Sequence, residues 1–216
     1  MECIYCKGEC KKAGKYKTTQ RYQCKNCKRY QQTVYTKQRI PKEDYTWAHK
    51  LNNEGCGISN IARLLHISKS SVQRIIIRIA GKLQMPVYKE KGESYQVDEL
   101  RTYCGNKGNE CWIIYAINAK TGKVIDFCIG RRTKENIKKV IDNILVLNPK
   151  RIYTDGLNIY PGLIPKTIHR VFEYCTNKIE RSNLTLRTHL KRLSRKTICF
   201  TKSNEMLENC LRMYFA

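Results

Sequence analysis

The chain has 216 residues, 41% of them apolar, with 42 Lys and Arg against 18 Asp and Glu and a formal charge of +24. That apolar share supports a packed core and excludes a disordered chain. No run approaches the roughly 18 apolar residues of a membrane span, so no membrane role is expected. The positive charge is spread along the chain, 13 Lys/Arg against 4 acids in residues 1–50 alone. A spread of this kind fits an anionic polymer, because each neutralised phosphate releases counterions, although a merely basic protein fits charge alone. No signal segment opens the chain, so its 12 cysteines point to the reducing cytoplasm, close to the nucleoid, with some of them binding metal.

Residues 1–36 read as a metal-binding module. Cys3 and Cys6 form one CxxC pair, Cys24 and Cys27 another, and 17 residues separate them. This is the knuckle spacing of a structural four-cysteine zinc site, in which each tight turn aims two thiolates at one ion. A redox CxxC would be single, and Cys10 is a substitute ligand that the symmetric set does not need. Tyr16, Tyr22 and Tyr30 among Lys and Arg suit contact with phosphates and bases.

Residues 37–84 hold a helix-turn-helix pattern. Ser59 can cap a first helix with Ile58, Ile61, Ala62 and Leu65 turned inward, and Ser68 a second with Val72, Ile75, Ile76 and Ile79 inward. Lys69, Ser70, Ser71, Gln73 and Arg74 then lie on the outer face, where a recognition helix meets base edges. His66 occupies a turn position that often carries Gly. An ordinary helical hairpin fits the stretch about as well; the neighbouring cysteine module and the charge favour DNA.

Residues 85–94, with Pro86 and Gly92, read as a linker. From residue 95 the pattern becomes mixed α/β. "SYQVDELRTYC" alternates as a strand, and "CWIIYAINAKTGKVIDFCIG" is a hairpin turning at Lys120–Gly122. Residues 133–148 are an amphipathic helix with Ile137, Val140, Ile141 and Ile144 on one side. "KRIYTDG" and "TIHRVFEY" are strands, and residues 177–197 read as a helix.

That last stretch sits in a run where eight Lys and Arg surround one acid, Glu180. Together with Asp98 in the first strand and Asp155 at the end of the fourth, it completes three carboxylates able to hold divalent metal beside a polyanion. Each acid alone has a plainer reading as a cap or turn residue. Glu99 follows Asp98 directly, and strand alternation lets one of the pair face Asp155; Asp98 is chosen. Arg187 and Lys191 share the stripe of Glu180 at helical spacing and can hold a DNA strand.

"RYQCKNCKRYQ", "ARLLHISKSSVQRII", "VDEL", "RIYTDGLNIYPGL" and "IERSNLTLRTHLKRLSRKTICFTKS" resemble the transposases of the insertion-sequence-one family. The 24 residues between Asp155 and Glu180, and the six between Glu180 and Arg187, match that family's pattern. The resemblance implies a multi-domain chain: a zinc-ribbon-like module, a helix-turn-helix, and over 95–216 an α/β ribonuclease-H-like catalytic domain. It implies Asp98, Asp155 and Glu180 as ligands of Mg²⁺ or Mn²⁺ and Arg187 as a DNA contact. The expected function is binding of an element's terminal inverted repeats, then metal-dependent strand cleavage and transfer into target DNA by a homo-oligomer, with Arg187, Lys191, Arg192 and Arg195 on phosphates. A zinc and helix-turn-helix repressor would leave residues 97–216 without purpose, and a structure-specific nuclease of the same fold would share the acids.

Overall fold

The computed structural model describes residues 1–34, 40–83, 91–172 and 174–216, which divide into two units, Met1–Pro41 and Lys42–Ala216. Most of the expected linker, through residue 90, lies outside the described residues; Ser94 already opens a strand.

In the first unit, β1 (Cys10–Tyr16), β2 (Thr19–Cys24) and β3 (Tyr30–Gln32) form an antiparallel sheet in that order. Its buried cluster is Cys3, Cys10 and Cys24, with Tyr22 packed against it. An apolar centre this small does not offset the chain entropy of ordering the unit, so its stability has to come from what the cysteines bind. Of the tyrosines expected to face nucleic acid, Tyr16 and Tyr30 are exposed, whereas Tyr22 supports the cysteine core.

The second unit begins with three helices, α1 (Lys42–Asn53), α2 (Ile58–Leu64) and α3 (Lys69–Ala80). Ser68 caps α3 as expected, accepting from the Ser71 amide at 3.1 Å. Gly57 rather than Ser59 is the cap of α2; it has no side chain to offer a capping bond, and the helix starts two residues earlier than expected. His66 between them takes the left-handed φ of 53° that a tight turn requires. Val72, Ile75 and Ile76 are buried while Lys69, Gln73 and Arg74 are exposed.

Five strands follow, β4 (Ser94–Tyr103), β5 (Glu110–Asn118), β6 (Val124–Gly130), β7 (Arg151–Tyr153) and β8 (His169–Arg170), interleaved with α4 (Lys134–Leu145), α5 (Asn177–His189) and α6 (Asn204–Phe215). The sheet order is β6-β5-β4-β7-β8; β4, β5 and β6 pair antiparallel, and β7 runs parallel to both β4 and β8. Alternation along β4 divides the core. Tyr95 and Val97 pack with Ile137, Val140, Ile141 and Ile144 of α4. Leu100 faces the other way, with Ile179 and Leu186 of α5 and Leu207 and Leu211 of α6.

Two expected elements come out shorter. β8 has two residues rather than the eight of 167–174. α5 stops at His189 because Leu190 turns extended and buries its side chain.

The sequence reading assigned neither α1 nor α6, and these two join the helical layer to the sheet. α6 buries Met206, Leu207, Cys210, Leu211 and Met213, packing on the sheet, on α3 and on α1. From α1, His49 Nε2 lies 2.8 Å from the Met213 carbonyl, Asn53 donates to the same oxygen at 3.2 Å, and Asn52 donates to the Cys210 carbonyl at 3.2 Å. The bonds to Met213 satisfy a last-turn carbonyl that a helix end leaves without a partner, and the bond to Cys210 ties α1 to the helix interior. Gly55, at φ 76°, lies so near that a Cβ would stand 1.9 Å from the His189 carbonyl oxygen. The helices expected to form a separate 37–84 module thus belong, from Lys42 on, to the same unit as the sheet.

Candidate active site

Among the described residues, side chains able to hold a metal gather in two places. In the first unit, one sulfur from each of Cys3, Cys6, Cys24 and Cys27 lies within 4.8 Å of the others. Cys3 Sγ is 3.6 Å from Cys27 Sγ and Cys6 Sγ is 3.5 Å from Cys24 Sγ. A tetrahedral ion with metal–sulfur bonds of about 2.3 Å has sulfur–sulfur edges of about 3.8 Å, so the set fits a tetrahedral metal. Each knuckle is shaped by its backbone: the Tyr5 amide donates to Cys3 Sγ and the Cys27 amide to Cys24 Sγ, both at 3.4 Å. The Cys27 amide is also the main reason the Cys24 thiol is held down at about 6, near the thiolate form that binds metal. Cys10 is not part of the set, and burial raises its thiol.

The second cluster is carboxylate. The parallel pairing of β4 and β7 sets Gln96 beside Tyr153. Two residues further along each chain, Asp98 and Asp155 meet, and together with Glu99 they offer oxygens within 4.8 Å of one another. The expectation that only one of Asp98 and Glu99 could approach Asp155 is corrected here. Asp155 lies beyond Tyr153, the last residue of β7, where no strand separates the two faces of the sheet. Glu99 is nevertheless committed elsewhere: Tyr160 Oη donates to its Oε1 at 2.5 Å and Arg132 to its Oε2 at 2.9 Å. Asp98 remains the more available ligand.

Asp98 is half-buried, and burial is the main cause that raises its carboxyl to about 6, with the charges of Glu99 and Asp155 adding to the effect. Asn183 Nδ2 donates to Asp98 Oδ2 at 2.7 Å, and Tyr115 Oη, on the strand opposite, donates to Asn183 Oδ1 at 2.9 Å. This chain orients Asp98 from α5. Asp155 is steadied by its neighbours: the Leu157 amide donates to Oδ1 at 3.1 Å, and the buried Thr154 hydroxyl donates to the Asp155 carbonyl at 2.9 Å. Arg132, 3.7 Å from Asp155 Oδ2, leaves one cation beside the acids. Asn183, Tyr115, Thr154 and Arg132 were not singled out from sequence. Asn183 alone had a signal there, since it lies three residues after Glu180 and shares its helix stripe.

Glu180 is exposed in the first turn of α5 and does not join the carboxylate cluster. Its Oε1 accepts from the Thr176 hydroxyl at 2.7 Å, one turn back. Like charges disfavour a fourth carboxylate beside three acids that share one arginine, and the hydroxyl offers a local partner instead. Glu180, Asn183, Arg187 and Arg195 line one cleft. Arg187 serves the fold first: its guanidinium donates to the Leu193 carbonyl at 2.7 Å and the Arg101 carbonyl at 3.0 Å, tying the end of α5 to β4. Lys191 is not on the Glu180 stripe as expected, because α5 has ended by His189; Lys191 and Arg192 turn to another cleft, shared with Lys69 and Gln73 of α3.

Comparison with known proteins bears on the same part of the chain. The IS1 transposase family model matches residues 94–216, the sheet and all three helices packed on it. The chain is 38% identical over 116 residues to insertion element iso-IS1n protein InsB of Shigella dysenteriae, covering 54% of this chain and 88% of that one. It is 30% identical over 119 residues to insertion element IS1 protein InsB of Shigella flexneri, covering 55% and 91%. A chain of the cryo-EM structure of the simian T-cell lymphotropic virus intasome with PP2A regulatory subunit B56 gamma overlies 76% of this chain and 66% of its own, at a TM-score of 0.39 and 16% identity; a likeness at that level carries no functional weight. With the family match spanning every strand and helix that builds the carboxylate site, the chain belongs to the IS1 transposase family.

Proposed function

We propose that this chain binds the terminal inverted repeats of its element and carries out metal-dependent cleavage and transfer of DNA strands, using Asp98, Asp155 and Glu180. The single observation that supports this most is the meeting of Asp98 and Asp155 across the parallel β4–β7 pair, with the Glu180 stripe of α5 bonded to Asp98 through Asn183. The strand order, with three antiparallel strands followed by parallel β7 and β8, is compatible with the ribonuclease-H-like reading and supports it. The four cysteines are read as a zinc-ribbon-like site and α2–α3 as a helix-turn-helix, with Lys69, Ser70, Ser71, Gln73 and Arg74 meeting DNA.

When bound, Mg²⁺ or Mn²⁺ would supply activation of the attacking oxygen and stabilisation of the leaving one. The chain does the rest. Asn183 and Tyr115 hold Asp98 in one orientation, and Thr154 and the Leu157 amide do so for Asp155. Glu180 comes into the set by releasing the Thr176 hydroxyl. Arg195 with Lys191 and Arg192 holds phosphates, and Arg187 keeps the end of α5 in place. Two element ends must be handled together, so the working form is a homo-oligomer on double-stranded DNA.

The test is cleavage of duplexes carrying the element ends, with Mg²⁺ or Mn²⁺, by Glu180→Gln and by Asp142→Asn, an acid paired with Lys138 on the surface of α4. Glu180→Gln is expected to retain DNA affinity and melting temperature while its cleavage falls to background. Cleavage by Glu180→Gln equal to that of Asp142→Asn would remove Glu180 from the mechanism.

A further inference from the structure

A cleft of about 400 Å³ opens between the helical layer and the C-terminal part of the sheet unit. From α3 it is lined by Lys69 and Gln73, from the turn after α5 by Lys191 and Arg192, and from the segment before α6 by Cys199 and Lys202. Four of its lining residues are cations and none is an acid. Its walls are fixed to each other by the bonds of His49, Asn52 and Asn53 to α6 and by the close approach of Gly55 to His189.

The spacing on α3 shows how such a cleft relates to a DNA-reading helix. Lys69 and Gln73 are four apart and share one stripe, which enters the cleft; Ser70 and Arg74 share the next stripe and lie outside it. We propose that the cleft receives the phosphate backbone of the same duplex whose bases lie against Ser70 and Arg74, so that one DNA strand is gripped by the helical layer and the sheet unit together. The volume is that of a small-ligand site, too small for a duplex and suited to one strand's sugar-phosphate chain. Phosphate is the fitting partner because four cations with no acid remain unneutralised until an anion enters. The first turn of α3, which carries no acidic residue, adds its positive helix end. This inference rests on the DNA-binding reading above and adds Lys202, and a fixed spacing between the bases read by α3 and the strand delivered to the acids.

Cys199 provides a probe already in place, since its thiol is exposed on the cleft wall. The native chain is incubated with random-sequence duplexes carrying a disulfide-activated tether on one backbone phosphate. A cross-link is expected that Cys199→Ser abolishes. In parallel, the double variant Arg192→Gln with Lys202→Gln is titrated with random duplex over a range of salt. The slope of log affinity against log salt is expected to shrink by about two, one per lost phosphate contact. Absence of the Cys199 cross-link, or an unchanged slope, in a chain that still binds and cuts DNA would overturn the cleft proposal and leave the transposase reading standing. A native chain that binds no duplex at all would overturn both.

Discussion

The cysteine set and the carboxylate set are both groups of four or fewer side chains that converge on a point, yet they relate to the fold in opposite ways. The cysteines are brought together by two turns of four residues each, and two of them, Cys3 and Cys24, form the buried cluster of their unit together with Cys10. The carboxylates come from β4 and the end of β7, oriented by α5, inside a unit that has two large apolar clusters of its own. One site makes its fold. The other is carried by its fold and strains it, since half-buried Asp98 is kept beside two further acids.

The comparison breaks most visibly at the cysteines. Cys24→Ser, or removal of the metal with a strong chelator, is expected to unfold Met1–Pro41 while Lys42–Ala216 keeps its stability. The binding energy at stake is about 10–16 kcal/mol in small zinc modules. Hydrogen exchange resolved along the chain checks this: protection should vanish in β1–β3 and persist in β4–β7. Unchanged protection of β1–β3 would mean that the sheet stands without its metal.

Gly55→Ala tests the carried site from a distance. The added Cβ meets the His189 carbonyl oxygen, and the backbone there is left-handed. Overpacking and strain of this kind cost about 1–3 kcal/mol each. Thermal unfolding should show the loss in the second unit alone, and cleavage should fall more than the loss of folded protein accounts for, because the end of α5 is displaced. Full activity would show that the helical layer and the acid site are uncoupled.

Asp98→Asn sharpens the contrast through its sign. Removing a cysteine ligand destabilises, whereas removing this acid is expected to stabilise. The folded carboxyl is raised from 3.8 to about 6, so the fold favours the protonated form: its penalty is absent below about pH 4 and fully present above about pH 6. At pH 7 without divalent metal the variant should gain about 2 kcal/mol, a melting temperature higher by about 4–8 °C. The gap should close as pH falls to 4. Wild-type binding of Mn²⁺ should weaken over the same fall in pH, because the ligand is neutralised.

The smallest effect is Ser68→Ala. It removes the cap of α3 at a cost of about 1 kcal/mol and frays the turn that presents Lys69 and Ser70. DNA affinity should drop while cleavage of bound DNA is unchanged. A variant that instead loses cleavage at full occupancy would place the start of α3 nearer the chemistry than its position implies.

What the sequence determined by itself was local or periodic. The CxxC spacing located the cysteine set because its geometry is made within each turn. The 3.6 period marked the inner faces of α3 and α4, and alternation marked β4 and β5, because burial on one side leaves that imprint. Asp98 and Asp155 were legible as acids on or at the end of strands and Glu180 as the lone acid in a basic run, and the resemblance to a family then assigned all three a common role. What only the tertiary structure decided was everything that depends on distant partners. α1 carries little apolar signal, burying Ala48 and Asn52, and is held by polar bonds to carbonyls about 160 residues away. Arg187 was read as a DNA contact, and the structure adds bonds from its guanidinium to the Leu193 and Arg101 carbonyls, while α5 ends about two turns before the residue 197 expected for it. Lys191 and Arg192 then point to α3 rather than to the acids. A stripe on a helix can be projected from sequence only as far as the helix runs, and where it stops is set by the burial of Leu190 and Leu193 against the sheet, a contact that no local pattern encodes.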